Sequence, residues 1–160
     1  MSTPKNEIAI PHELLFESSD EEVSGDASTA VHWFRRCLRF HDNPALCEAI
    51  RSTDSFRCVY IIDPSNFSTN SSVESNKWRF LIESLQDLDH TLKRHNSRLY
   101  IIEGQPTYIL PLLFKHWNVT VLSLEEDPSP YGARRDDAIC SFVNKMAFMS
   151  SSDAPTLSIL

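Results

Sequence analysis

The chain has 160 residues and a formal charge of −7, enough material for one ordinary domain with a real core. The charge is unevenly spread: residues 1–30 carry seven acids against Lys5 alone and hold −6, which leaves −1 for everything that follows. A near-neutral folded part gives no footprint for nonspecific nucleic-acid binding. No apolar run approaches the roughly 18 residues of a membrane span, and the first residues do not read as a secretory leader. Cys37, Cys47, Cys58 and Cys140 form no CxxC pair and no metal-like spacing, so a reduced intracellular setting is expected. In that setting the glycosylation-type triplets at Asn66, Asn70 and Asn118 carry no meaning.

Residues 1–30 are polar, include SSDEE at 18–22 and show no sustained period; a disordered acidic tail is expected. Within it, IAIPHELLF at 8–16 reads as a loose apolar patch before it reads as a docking peptide. Val31, Trp33 and Phe34 then open a buried strand. A basic turn follows with Arg35, Arg36 and Arg39. Asp42-Asn43-Pro44 supplies a capping side chain and a proline at the first helical position, and Ala45–Ile50 continues as helix. Arg57–Ile62 is a second strand, closed by Asp63-Pro64, and Ser65–Ser75 is a loop.

The longest helix is predicted over about Asn76–His95, where Trp78, Leu81, Ile82, Leu85, Leu88 and Leu92 keep the i, i+3, i+4, i+7 template. Asp89 precedes Lys93 in the favourable order for an ion pair, and Lys93, Arg94 and His95 suit the helix's C-terminal end. Leu99–Glu103 is a third strand, turned by Gly104-Gln105-Pro106. A helix to Trp117 follows, in which Pro111 either starts the regular part or kinks it. Val119–Leu124 is a fourth strand ending in Glu125, Glu126 and Asp127. Pro128–Gly132 is a turn, and Ala133 to about Met146 is a last helix.

Near-continuous apolar strands separated by helices indicate parallel pairing. The predicted fold is an α/β, open, doubly wound parallel sheet, Rossmann-like, with helices on both faces. Right-handed crossovers put every strand-to-helix turn on one edge, so Arg35, Arg36, Arg39, Asp63, Gly104 and Asp127 are expected on one rim, where anionic and nucleotide-like ligands bind in such sheets.

The segments VHWFRRCLRFHDNPAL (31–46), RCVYIIDP (57–64), NKWRFLIESLQDLD (76–89), HNSRLYIIEGQP (95–106) and EEDPSPYGARRDDAI (125–139) together resemble the N-terminal α/β domain of the cryptochrome/photolyase family. They are most similar to its animal branch of clock cryptochromes and (6-4) photolyases. The resemblance covers about 31–140. It implies a nuclear or cytosolic flavoprotein whose sheet domain packs on a larger helical domain that binds FAD and carries a tryptophan chain. It further implies a cleft that in some relatives holds an antenna folate or deazaflavin, and contacts with clock or other regulatory proteins.

Three departures stand out. Glu74 replaces an expected glycine before the long helix, removing conformational freedom. Ser129 in DPSPYG replaces the acidic residue that some relatives use near the antenna pigment, which counts against antenna binding here. After Ile139 the text leaves the family pattern, so residues 147–160 are expected to be an unstructured end behind a domain spanning 31–146. With no flavin site within these residues, no cofactor is expected in this chain itself, and neither repair nor light sensing from it alone.

Arg35, Arg36, Arg39, Asp63, Glu103 and Asp127 are the candidate pigment or anion rim. Their plainer roles are ion pairing with carboxylates such as Asp42, helix capping and solvated turns. Asp42-Asn43-Pro44 is first a cap. His41 has no second ligand in view, and neither a metal site nor a catalytic residue is expected. Trp33, Trp78 and Trp117 read as packing residues on core faces. Ser18 and Ser19, each followed by acids, read as a candidate phosphorylated tail.

Functionally, the first expectation is the N-terminal domain of a cryptochrome-like protein in blue-light signalling or circadian transcriptional regulation, located in nucleus and cytoplasm with no membrane partner. The second is a fragment of a (6-4) DNA photolyase, which would bind lesion-bearing DNA only in its full-length form. The third is a stand-alone regulatory module competing for partners, which would carry an exposed apolar interface.

Overall fold

The computed structural model describes residues 28–64, 72–127, 129–149 and 156–159. Nine elements run in chain order: β1 Thr29–Phe34, α1 Pro44–Ser52, β2 Ser55–Ile62, α2 Ser72–Lys93, β3 Leu99–Glu103, α3 Pro106–His116, β4 Val121–Leu124, α4 Pro130–Met149 and β5 Thr156–Ile159. The strands form one five-stranded sheet in the order β3-β2-β1-β4-β5, with every neighbouring pair parallel. This is the doubly wound arrangement expected from the alternating pattern.

β1 lies at the centre, paired through Val31 with Arg57 of β2 and with Leu122 of β4. All six of its residues are buried, as a strand covered on both faces must be. Its two polar members are satisfied. The Thr29 N–H donates to Thr120 Oγ1 at 2.9 Å and its hydroxyl meets Ser55 Oγ at 3.1 Å; His32 is taken up below.

One face of the sheet is covered by α1 and α2. There Phe34, Cys58 and Leu99 pack with Leu46 of α1 and with Leu85, Leu88 and Leu92 of α2. The opposite face is covered by α3 and α4, where Trp33, Val59, Ile61, Ile102 and Leu122 meet Leu110, Leu113, Phe114, Ile139 and Val143.

Local signals act as their chemistry dictates. Asn43 caps α1, its Oδ1 accepting the Leu46 N–H at 3.0 Å, with Pro44 at the first helical position. Asp89 and Lys93 pair at 2.7 Å, and Asp89 Oδ1 also accepts the Leu99 N–H that opens β3. α2 ends on Asn96 in the left-handed region (φ 55°), with Ser97 N–H donating to Leu92 O at 3.0 Å and Asn96 N–H to Lys93 O at 3.2 Å, a Schellman closure. α3 starts at Pro106, and Pro111 sits inside it. Having no N–H, Pro111 leaves the carbonyl of Thr107 without its helical partner, and Thr107 is exposed to water.

Three expectations are corrected. The end of the chain, expected to be unstructured from residue 147, carries the last turn of α4, to Met149, and a strand whose Thr156–Ile159 pairs with Val121–Leu124. Four residues are too short to show a period of their own; the hydrogen-bonding edge of β4 defines that strand. Trp78, expected in the core, is 38% exposed, as Ile82 is at 40%. The stripe they begin is partly buried at Leu81 and fully buried only from Leu85 onward. Glu74 falls within the helical span of α2, not in a loop before it. The acidic tail through residue 27, with IAIPHELLF and SSDEE, lies outside the described residues.

Candidate functional site

The chain winds from β1 to β2 to β3 in one direction and then returns to place β4 on the other side of β1. The crevice beyond the carboxyl ends of β1 and β4 is therefore the switch point of the sheet, where open α/β folds bind ligands. A cleft of about 290 Å³ lies there, lined by Trp33 of β1 with Arg35 and Arg36 just after it, Tyr60 of β2 with Asp63 just after it, and Asp127 and Arg135 beyond β4. A second hollow of about 490 Å³ adjoins it along Asp63, Pro106 and Arg135 and extends over Thr107 and Arg134.

The cleft is organised by two carboxylates shared among three guanidinium groups. Asp127 Oδ1 accepts from Arg36 Nη1 at 3.0 Å, and its Oδ2 accepts from Arg135 Nη2 at 3.3 Å. Asp136 Oδ1 pairs with Arg35 Nη1 and with Arg135 Nε, the latter at 3.2 Å. Trp33 holds the cationic side in place: the Arg35 guanidinium lies 4.9 Å and that of Arg135 5.0 Å from its ring, within cation–π range. Arg35 is the most enclosed, with only 7% of its side chain exposed. Its Nη2 is buried without a hydrogen-bond partner. A buried donor without a partner is the exception in a folded chain, and Arg35 Nη2 is one at this cleft.

Asp127 is itself prearranged. Burial works against its ionisation, but hydrogen bonds at Ser129 and the charges of Arg36 and Arg135 prevail and hold its carboxyl below the usual range. Ser129 links this turn to the next helix. Its N–H donates to Asp127 Oδ1 at 3.1 Å, its hydroxyl oxygen accepts the Gly132 N–H at 3.0 Å, and its carbonyl accepts the Ala133 N–H at 2.8 Å. Ser129 thus occupies the capping position of α4. Burial also pushes the Tyr60 phenol above its ordinary pKa.

Of the six candidates, Arg35, Arg36, Asp63 and Asp127 line the cleft. Arg39 and Glu103 do not. Arg39 is exposed and donates through Nε to Cys37 Sγ at 3.1 Å, while Glu103 is exposed at the end of the edge strand β3. Arg35 and Arg36 do pair with carboxylates, but with Asp136 and Asp127 instead of Asp42. Arg135 and Asp136 were missed because ARRDD inside a helix reads as a solvated face. Their one signal was position, in the first turns after a strand-end acid. Trp33 packs in the core as expected, and Trp117 packs partly buried against it.

Comparison with known proteins fits this geometry. Residues 30–157 match the family described as DNA photolyase, so the match reaches the start of β5, past the expected end near residue 140. The chain is 56% identical over 110 residues, 69% of its length, to Cryptochrome-1 of Mus musculus, covering 18% of that protein, and to Cryptochrome-2 of Gallus gallus, covering 19%. It therefore spans about a fifth of the length of these curated relatives. Among solved structures it is similar to an archaeal photolyase from Sulfolobus tokodaii with two FAD molecules, at TM-score 0.67 and 26% identity over 82% of this chain and 28% of that one. A class III photolyase from Agrobacterium tumefaciens shares the fold, at TM-score 0.70 and 22% identity over 89% of this chain and 27% of that one. With the family match spanning most of its length, the chain belongs to the DNA photolyase family.

Proposed function

We propose that this chain is the N-terminal α/β domain of a cryptochrome-like flavoprotein acting in blue-light signalling or circadian transcriptional regulation in nucleus and cytoplasm, with clock or other regulatory proteins as partners. The FAD of such a protein would sit in a helical domain beyond these residues. The 56% identity to animal cryptochromes favours this reading over DNA repair. Among the described residues no helix is long and apolar enough to cross a membrane.

The cleft would receive the anionic group of a second ligand. The observation that carries this role is the buried, unpartnered Nη2 of Arg35 at the switch point. The Sulfolobus tokodaii photolyase holds two FAD molecules, with the implication of a light-harvesting cofactor in that protein, which makes a flavin phosphate a fitting probe. Titration of the chain with riboflavin 5′-phosphate and with riboflavin tests this role: the phosphate should strengthen binding, and Arg35→Met should remove the gain. Equal, weak binding of both compounds would refute it. Whether the complete protein binds (6-4) lesions separates the cryptochrome from the photolyase alternative.

A further inference from the structure

His32 lies at the middle of β1, is 1% exposed, and has no part in the cleft. Cys58 of β2 stands opposite it on one side and Ser123 of β4 on the other. Asn43, the cap of α1, reaches it from above, and the Phe34 ring meets it edge-on at 4.5 Å. Arg35 is the charged group that acts on it.

These contacts assign every proton. The Ser123 hydroxyl donates to Ala45 O at 2.7 Å, so it has no proton left for the imidazole. The 2.9 Å contact between His32 Nδ1 and Ser123 Oγ must therefore be donated by Nδ1. Asn43 Oδ1 is fixed as an acceptor by the Leu46 N–H, so its amide nitrogen points to His32 Nε2 at 3.4 Å and to Arg39 O at 3.3 Å. Nε2 must then be a bare lone pair. The imidazole thus holds the Asn43 amide in the one orientation that both caps α1 and tethers Arg39.

We propose that His32, as the neutral Nδ1–H tautomer, is the positioning residue of the loop that carries Arg35, Arg36 and Arg39, and that a proton on Nε2 releases this loop. A second N–H on the ring would face the Asn43 amide hydrogens, donor against donor. Asn43 then turns, and either the Leu46 cap or the Arg39 tether is lost. The loop keeps its apolar anchors, Leu38 and Phe40, so release loosens it without unfolding the sheet. Burial, reinforced by Arg35, holds His32 near a pKa of about 4, so the latch stays closed at neutral pH. This role does not depend on what the cleft binds.

Nitrogen-15 spectra of the histidine rings in the full chain test the assignment directly. His32 should show a protonated Nδ1 and a bare Nε2 at neutral pH; the opposite tautomer, or a charged ring, would overturn it. Asn43→Asp keeps the cap oxygen but sets a carboxylate against Nε2, and the ring should then take up its second proton at a distinctly higher pH than in the parent chain. An unchanged titration would show that His32 only fills space. His32→Asn retains a group near Ser123 but nothing at Nε2. Amide exchange over residues 36–41 should then rise at least about tenfold while β4 exchange stays unchanged; an equal rise in both would also refute the role.

Discussion

Gly132 lies so close to Asp127 that a Cβ placed on it would be 2.2 Å from the carboxyl carbon. The first turn of α4 is thus pressed against the carboxylate that gathers Arg36 and Arg135. Gly132→Ala should push Asp127 off both arginines and cost about 1–3 kcal/mol, the range for overpacking a closed site. Denaturant unfolding checks the stability, and a weaker affinity for riboflavin 5′-phosphate should accompany it.

Arg35 and Asp136 form a pair shielded from water, with side chains 7% and 12% exposed. Removing one partner strands the other. Arg35→Met should cost about 3 kcal/mol, whereas Arg35→Met combined with Asp136→Leu should recover part of that loss. A double-mutant cycle in urea measures the difference.

Acid should act in two stages. His32 has a native pKa of about 4 against an ordinary 6.5. The unfolded chain therefore binds a proton that the native chain refuses in this window, and stability falls as pH is lowered through it, by about 3 kcal/mol in all. Asp127 and Asp89 are both held below the usual carboxylate range. Their contribution is present above the unfolded value near 3.8 and is lost only as pH drops beneath it. Unfolding free energies measured across this range should slope first in the histidine window, and His32→Phe should flatten that part alone.

The cysteines should sort by burial. Cys47 is exposed and Cys58 buried, with burial pushing the Cys58 thiol up to about 12. Iodoacetamide near pH 8 should alkylate Cys47 rapidly and spare Cys58 until the chain unfolds. Peptide mapping by mass spectrometry reads this out.

The sheet was legible because β1 to β4 are mostly apolar runs and two helices carry their own punctuation, Asn43-Pro44 for α1 and Pro106 for α3. β5 was not, since four residues become a strand only when β4 offers its edge. Half the cleft was legible: Arg35, Arg36, Asp63 and Asp127 sit at strand ends, where topology alone converges. Arg135 and Asp136 sit within a helix, and their direction depends on how α4 lies on the sheet, which no local pattern states. Arg39 and Glu103 failed for a related reason: a residue near the rim in sequence can still turn outward. Trp78 shows that a helical period marks the face meant to be covered, not how much of it is covered.

The central claim is that the switch-point cleft, with Arg35 as its unsatisfied donor, is an anion site. A fluorescence titration of the chain with riboflavin 5′-phosphate beside riboflavin tests it most directly. Binding at least about tenfold tighter for the phosphate, roughly the worth of one charge-assisted hydrogen bond, and lost in Arg35→Met, is the predicted result. Equal affinities for the two compounds, unmoved by Arg35→Met, would contradict it.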